Sequence, residues 1–176
     1  GELNRAGILN RSGAMTERIA DLRTRLRKTM PAGSHVPSRN SEALLPFYAY
    51  IERCSSPRDR LVMTGLQPDV FVLANRGFAG GQMAYRPSFY ASEQDQRKAI
   101  ARMQAQSVPF VIVALEEESG FRGALRLVTA YVDAHYEPLA MIPVPDTRGL
   151  QIYIERGRRA VSIDAATGWP CLSRSS

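Results

Sequence analysis

The sequence predicts an α/β fold: a small Rossmann-like three-layer sandwich with a mostly parallel sheet, an antiparallel hairpin at its C-terminal edge, and two N-terminal helices. Three observations predict it. Short apolar runs alternate with helix-like segments between residues 60 and 136. Two further strand-like runs, at residues 138–144 and 150–156, are separated by the turn-rich segment 145–149. The chain has 176 residues, 44% of them hydrophobic, which suits one domain with a sizeable core.

Composition divides the chain into three parts: a basic helical arm and linker at residues 1–40, the α/β domain at 41–160, and a polar tail at 161–176. The net charge of +6 is unevenly distributed. Residues 1–60 hold 11 Lys+Arg against 6 Asp+Glu, whereas the remaining residues hold 12 against 11. The excess positive charge therefore belongs to the N-terminal part of the chain.

An amphipathic basic helix is predicted over residues 14–30. Two interpretations of it remain open: the helix packs on the domain, or it lies on an anionic membrane surface or a membrane-embedded partner. Nucleic acid is not expected as a partner, because no aromatic residues alternate with the basic ones to stack on bases. The apolar side chains that define the helical stripe are Met15, Ile19, Leu22, Leu26 and Met30.

The first half of the predicted domain begins with a helix over residues 42–53, with Pro46 in or just past its first turn. A strand buried on both faces follows at 60–64. Residues 69–76 have the Val and Phe content of a strand, but their Pro-Asp start and Arg-Gly end favour a short helix. The second strand is predicted at 82–86. The side chains expected to be buried on the first helix are Leu44, Leu45, Phe47, Tyr48 and Ile51.

The second half contains a helix over residues 92–106, opened by a capping-box arrangement of Ser92 and Asp95. A third strand follows at 109–115, and then a helix at 123–136. The side chains expected to face the core from these helices are Ile100, Met103, Leu125, Val128, Val132 and Tyr136.

Ligands on open α/β sheets collect at the carboxyl ends of the strands, which is predicted to bring together segments 65–68, 75–81 and 116–120. The loop 75–81, NRGFAGG, could present backbone N–H groups and Arg76 to a phosphate or a sugar, or it could be a tight turn that needs glycine. It lacks the established nucleotide-binding motifs. The candidate ligand-binding residues are Arg58, Asp59, Arg60, Asn75, Arg76, Gly77, Gly80, Gly81 and Glu116.

The same residues have simpler interpretations. Segment 58–60 could clamp an anion, or Asp59 could pair with a neighbouring arginine. The run Glu116 to Glu118 could contain a general acid and base, although three consecutive carboxylates point in different directions and suit a solvated loop. No catalytic set, cofactor motif or metal-ligand spacing is recognised. Cys54 and Cys171 are compatible either with a disulfide or with two unrelated thiols.

Three ordered blocks of sequence carry a resemblance to a known family. They are YAYIERCSSPRDRLVMTG, QPDVFVLANRGFAGG and FYASEQDQRKAIARMQAQSVPFVIV. Together they resemble the C-terminal soluble region of bacterial GT-C membrane glycosyltransferases related to the dolichyl-phosphate-mannose protein mannosyltransferases. The resemblance spans about residues 1–160 and contains no catalytic signature.

The resemblance implies a non-catalytic domain on the extracytoplasmic (periplasmic) face of the membrane. In that family a polytopic portion transfers a sugar from a polyprenyl-phosphate carrier, so the expected partners are the transmembrane portion of the same polypeptide and an anionic membrane surface or the carrier-linked sugar. No cofactor is implied. The alternative hypothesis is a stand-alone α/β module or enzyme that binds a nucleotide or a sugar phosphate.

Overall fold

The computed structural model describes residues 39–172, with side chains from residue 43 onward. Within this part, five helices and seven strands form a mixed α/β fold with a five-stranded sheet and a separate two-stranded sheet. The helices are α1 (Arg39–Cys54), α2 (Asp69–Leu73), α3 (Glu93–Gln104), α4 (Glu118–Ala124) and α5 (Arg126–His135). The strands are β1 (Arg60–Met63), β2 (Gly77–Phe78), β3 (Phe110–Ala114), β4 (Tyr136–Ile142), β5 (Leu150–Glu155), β6 (Ala160–Ile163) and β7 (Pro170–Leu172).

The larger sheet has the strand order β2-β1-β3-β5-β4. Strand β1 pairs in parallel with both β2 and β3, whereas β5 pairs antiparallel with β3 and with β4. The sheet is therefore mixed, half of its pairings being parallel, rather than mostly parallel. The predicted C-terminal hairpin is confirmed, and its first strand, β4, forms the sheet edge.

Two buried clusters lie against the sheet, and alternate residues of β3 belong to different clusters. Phe110 and Ile112 share one cluster with side chains of α1 and α2, and Val111 shares the other with side chains of α3, α4 and α5. Side chains alternate between the faces of a strand, so β3 is covered on both faces. The prediction of strands 60–64 and 109–115 from continuous apolar runs is confirmed to within a residue at each end.

Helix α1 is confirmed, but the buried set predicted for it is wrong at one position. Leu45 is 43% exposed, whereas Tyr50, which was not in that set, is fully buried. Tyr50 contacts the rings of Phe110 and Trp169, and its hydroxyl donates to the Pro170 carbonyl at 2.6 Å. The core contact on this face thus extends to the C-terminal part of the chain. Leu44, Phe47, Tyr48 and Ile51 are buried as predicted.

The prediction of a strand at residues 82–86 is wrong. Strand β2 lies earlier in the chain, at Gly77–Phe78, and it is only two residues long. Gly80 and Gly81 have φ angles of 66° and 77°, which turn the chain away from the sheet. The chain returns when the Tyr85 N–H donates to the Met63 carbonyl at 2.8 Å. Residues 80–84 therefore form a loop at the sheet edge.

Helices α2 and α3 begin where their sequence signals predict, whereas α4, Glu118–Ala124, lies largely where a loop was expected. The Ser92 hydroxyl accepts from the Asp95 N–H at the start of α3, as the capping box predicts. Met103 is buried, whereas Ile100 is only partly buried. The helix predicted over 123–136 is interrupted at Leu125, whose ψ of 51° is not helical. Leu125, Val128, Val132 and Tyr136 are nevertheless all buried, as predicted.

In place of the tail expected from residue 161, the chain forms strands β6 and β7, which pair with each other. The links between this hairpin and α1 include the Cys54–Cys171 disulfide, the Arg53–Asp164 ion pair, the Tyr50–Pro170 hydrogen bond, and ring contacts of Trp169 with Phe47 and Tyr50. The disulfide joins residues 117 positions apart, a separation for which chain-entropy models give a stabilisation of about 4–5 kcal/mol. The polar composition of the predicted tail therefore gave no indication that this hairpin packs against α1.

The predicted basic helix at 14–30 lies outside the described residues, as do most of the arm and linker at 1–40. No helix within residues 39–172 is both long enough and apolar enough to cross a bilayer.

Candidate anion-binding groove

The predicted ligand-binding residues divide between the two ends of the sheet. Strand β2 is itself part of the loop that was expected to gather at one end. Asn75, Arg76 and the segment 58–60 therefore lie at the amino ends of the parallel strands, whereas Gly80, Gly81 and Glu116 lie beyond the carboxyl ends. One site does not contain all nine residues.

Arg76 is buried and its guanidinium is used within the fold. Its Nη2 donates to the carbonyls of Glu52 at 2.8 Å and Ser55 at 2.7 Å, Nη1 donates to the Asn75 carbonyl at 2.8 Å, and Nε donates to the Ser55 hydroxyl. Burial lowers the pKa of Arg76, and the carboxylates of Asp59 and Glu52 oppose that shift. Because a helix leaves its last carbonyls unpaired, this arginine stabilises the end of α1.

Asp59 is also buried, and it organises the amino end of the sheet. Its Oδ2 accepts from the Ser56 N–H at 2.7 Å, and its Oδ1 accepts from the Ser107 hydroxyl at 2.5 Å. Arg158 Nη2 reaches both Asp59 Oδ1 at 3.4 Å and Ser107 Oγ at 2.9 Å. This Asp59–Ser107–Arg158 cluster joins the starts of β1 and β3 to the end of β5.

A groove with two basins lies around this cluster, and we call it the arginine groove. The first basin, about 850 Å³, is lined by residues 56–60 and 105–107. The second, about 490 Å³, is lined by residues 104–107 and 155–159. Residues 105–107, which connect α3 to β3, contribute to both basins. The arginines that line the groove are Arg58, Arg60, Arg156, Arg158 and Arg159.

The cations of the groove exceed its anions. Arg58, Arg60 and Arg159 are exposed, and none of them pairs with a carboxylate within residues 39–172. Arg156 pairs with Glu137 at 3.6 Å, and half of each side chain is exposed. A groove lined by unpaired guanidinium groups, which match the geometry of phosphate oxygens, is suited to an anionic ligand.

Arg158 adds a second observation. Its side chain is only 7% exposed and holds Asp59 and Glu155, yet its Nε is buried without a hydrogen-bond partner in the described structure. A buried donor left unpaired costs free energy, and such atoms need an explanation in a native structure.

The glycines of the loop 75–81 serve the backbone and its close contacts. A Cβ on Gly77 would overlap the Arg60 guanidinium, and one on Gly80 would overlap the Tyr85 hydroxyl. The Gly80 N–H donates to the Gln106 side-chain oxygen at 3.0 Å. This geometry agrees with the tight-turn interpretation of the loop.

The acidic run 116–118 follows β3, as predicted. Glu116 is exposed, Glu117 pairs with Arg86 at 3.0 Å, and Glu118 pairs with Arg122 at 3.0 Å. The three carboxylates thus have different surroundings and do not converge as an acid and base pair.

Sequence reasoning missed Ser107 and the arginines of the segment 156–159. The signal was present in the letters RGRR, which follow the last strand of the predicted hairpin. These letters could not be assigned to a site without the strand order. Only the antiparallel pairing of β5 with β3 brings the end of β5 close to the start of β1.

One group of described residues places potential metal-ligand atoms within 4.8 Å of one another: Cys54, Asp164 and Cys171. Both sulfurs are joined in the disulfide, and metal binding requires thiolates. The group is therefore a structural link in the oxidised protein.

Comparison with known proteins identifies no relative: no family model, no curated protein and no solved structure matches this chain.

Proposed function

We propose that this chain is a non-catalytic extracytoplasmic domain of a polytopic glycosyltransferase that uses a polyprenyl-phosphate-linked sugar. In this proposal the arginine groove contacts the phosphate of the carrier, and the transmembrane portion of the same polypeptide performs the transfer. The scaffold is proposed to be a small Rossmann-like three-layer sandwich, which is supported by helices on both faces of β3.

The observation that carries the proposal is the arginine groove. Guanidinium groups on both sides of Ser107 line the groove and can contact a phosphate. The disulfide supports the location, because disulfides persist in oxidising compartments outside the cytoplasm. The resemblance of the three sequence blocks supplies the reaction class.

The proposal is tested by titrating the ¹⁵N-labelled protein with a short-chain isoprenyl phosphate, using the matching isoprenyl alcohol as control. We expect saturable amide shifts at Gln106, Ser107 and Gly157 with the phosphate and none there with the alcohol. The affinity should fall as salt rises, because the contact is electrostatic. Shifts that are identical for both ligands, or absent at millimolar phosphate, would contradict it.

The reading frame that encodes the chain supplies a second test. A segment of several hydrophobic helices in the same frame is expected. Sugar transfer by the purified 176-residue chain alone would overturn the non-catalytic role.

The alternative of a stand-alone nucleotide or sugar-phosphate module is favoured by the groove volume, since basins of about 850 and 490 Å³ fall in the range of small-molecule sites. A thermal-shift screen distinguishes the two. A nucleotide or soluble sugar phosphate that raises the melting temperature more than an isoprenyl phosphate does would favour the alternative.

A further inference from the structure

A second groove lies beyond the carboxyl ends of β1 and β2, and we call it the apolar groove. It has a volume of about 330 Å³. Its large apolar side chains are between 44% and 61% exposed, although soluble surfaces usually scatter such residues singly. They are Leu66, Phe78, Met83, Phe89 and Tyr90.

The groove is built by an ordered part of the fold. The Ala79 N–H donates to the Leu61 carbonyl, and the Tyr85 hydroxyl donates to the Ala79 carbonyl at 3.1 Å. Phe78 packs edge-on against Phe71, with ring centroids 6.0 Å apart. Gln82 is 8% exposed, and its Oε1 has no hydrogen-bond partner in the described structure. Phe78 and Met83 thus lie on a supported loop, and in the next turn the Phe89 N–H donates to the Arg86 carbonyl at 3.0 Å.

An exposed arginine flanks the groove. The Arg102 guanidinium packs against Gly81, which lines it. Lys98 precedes Arg102 by one helical turn on α3 and is also exposed. Neither of these two cations pairs with a carboxylate in the part of the chain that the structure describes.

We infer that the apolar groove and its flanking cations form a membrane-contact surface that inserts shallowly into an anionic lipid bilayer. Apolar and aromatic side chains beside Arg and Lys match the boundary between acyl chains and headgroups. The inference deepens the proposed function, because it names the surface through which the domain would lie on the membrane.

The charges beside the groove favour an anionic lipid surface as its occupant. Arg102 and Lys98 are exposed on α3 and form no ion pair within the described residues, and anionic headgroups attract such cations. A bilayer accepts a small apolar wedge, since the surrounding headgroups accommodate the polar rim and attract the cations.

Vesicle flotation of the full chain tests the inference, with phosphatidylcholine vesicles that contain about 30% phosphatidylglycerol or none and no isoprenyl phosphate. We compare wild type with Phe89→Ser/Tyr90→Asn; Asn suits position 90, where φ is 52°. The control is Val161→Ser/Ile163→Ser, which removes apolar side chains of β6 that are at least as exposed as Phe89 and Tyr90. The segment 14–30 is common to all three proteins, so its contribution cancels in the comparison.

We expect the Phe89/Tyr90 variant to lose at least about fivefold in affinity for anionic vesicles, while the Val161/Ile163 control binds like wild type. Arg102→Gln should weaken binding to anionic vesicles alone, and Arg97→Gln should not. Equal binding by wild type and the Phe89/Tyr90 variant would overturn the inference. So would sedimentation showing self-association that this variant abolishes, because the occupant would then be a second copy.

Failure here is distinguishable from failure of the proposed function. If vesicle binding is absent while isoprenyl phosphate still shifts the Ser107 amide, only the membrane-contact surface is wrong. If vesicle binding depends on Phe89 and Tyr90 while the phosphate has no effect, only the proposed carrier contact is wrong.

Discussion

The two grooves are supported in different ways. The arginine groove is held by a buried ion pair, in which the Asp59 and Arg158 side chains are 3% and 7% exposed. The apolar groove is held by glycine backbone, because Gly80 and Gly81 have positive φ angles and a Cβ on Gly80 would overlap the Tyr85 hydroxyl. The first groove therefore depends on charge complementarity, and the second depends on backbone conformation.

These two kinds of support explain how one small domain can display both a cationic surface and an apolar surface. Guanidinium groups need fixed partners if some of them are to stay oriented while others remain free for a ligand. Exposed apolar side chains need a loop that cannot collapse onto the core. Each support can be removed separately, so each surface can be lost without the other.

The largest expected effect comes from Asp59→Asn. Arg158 pairs with two carboxylates, and this substitution removes the buried one, Asp59, and leaves the partly exposed Glu155. Removing one partner of a buried pair typically costs about 3–5 kcal/mol of unfolding free energy. Urea denaturation measures this cost. The control Glu93→Gln breaks the exposed pair with Arg97 and should cost less than about 1 kcal/mol. Equal costs for the two variants would mean that the cluster does not support the groove.

Gly80→Ala should rank next, at about 2–4 kcal/mol. The new methyl group would occupy a left-handed position, overlap the Tyr85 hydroxyl and lie 3.2 Å from the Ala99 carbonyl oxygen. The control Gly168→Ala has a similar φ of 73° but open space around it, and should cost about 1–2 kcal/mol. The difference between the two losses of unfolding free energy measures the cost of the close contact at Gly80. Equal losses would show that this contact does not restrict position 80.

Arg76→Gln should lower the unfolding free energy by about 2–3 kcal/mol, because the guanidinium hydrogen bonds to the end of α1 are lost. Arg58→Ala should change stability by less than about 0.5 kcal/mol, since Arg58 is exposed and unpaired within the described residues. Denaturation curves of both variants check this contrast. If Arg76→Gln has the same unfolding free energy as wild type, Arg76 is not needed for the fold and becomes a ligand-binding candidate again.

The smallest effect concerns the C-terminal hairpin, outside both grooves. Burial raises the pKa of Asp164, but hydrogen bonds from Thr167 and Arg53 outweigh it and hold that pKa below its usual range. A carboxyl with a lowered folded pKa contributes stability above its unfolded pKa of about 4 and loses the contribution as the pH falls through the folded pKa.

The melting temperature of wild type should therefore exceed that of Asp164→Asn at neutral pH, and the gap should narrow below about pH 4. The control Glu116→Gln removes an exposed carboxylate that forms no ion pair within residues 39–172, and it should leave the melting temperature at neutral pH unchanged. A gap that stays constant down to pH 3 would contradict the assignment.

Sequence patterns located most elements of the fold for identifiable reasons. The continuous apolar runs of β1 and β3 require burial on both faces, and Ser92 with Asp95 marks the start of α3. Strand β2 was misplaced because a two-residue strand has no periodicity, and its position depends on pairing with β1. The hairpin β6–β7 was missed because a disulfide and two aromatic contacts, rather than an apolar run, hold it to α1.

The candidate site was only half predictable. The segment 58–60 was singled out from its charges, and it does line the arginine groove. The other half of the groove comes from residues some 100 positions later, which strand order alone brings close. Charge in a sequence indicates candidate ligand-binding residues. Here the tertiary structure decides which arginines pair within the fold and which remain available to a ligand.

The most direct test of the proposed function is the dissociation constant for isoprenyl phosphate in neutral vesicles, compared among three proteins. Arg58→Ala/Arg159→Ala removes one unpaired guanidinium from each basin, and Arg148→Ala removes an exposed arginine that lies at the opposite end of β3. We predict that the double variant binds at least about tenfold more weakly than wild type, with an unchanged melting temperature, and that Arg148→Ala binds like wild type. Equal affinities for all three proteins would contradict the assignment of the arginine groove as the carrier-phosphate site.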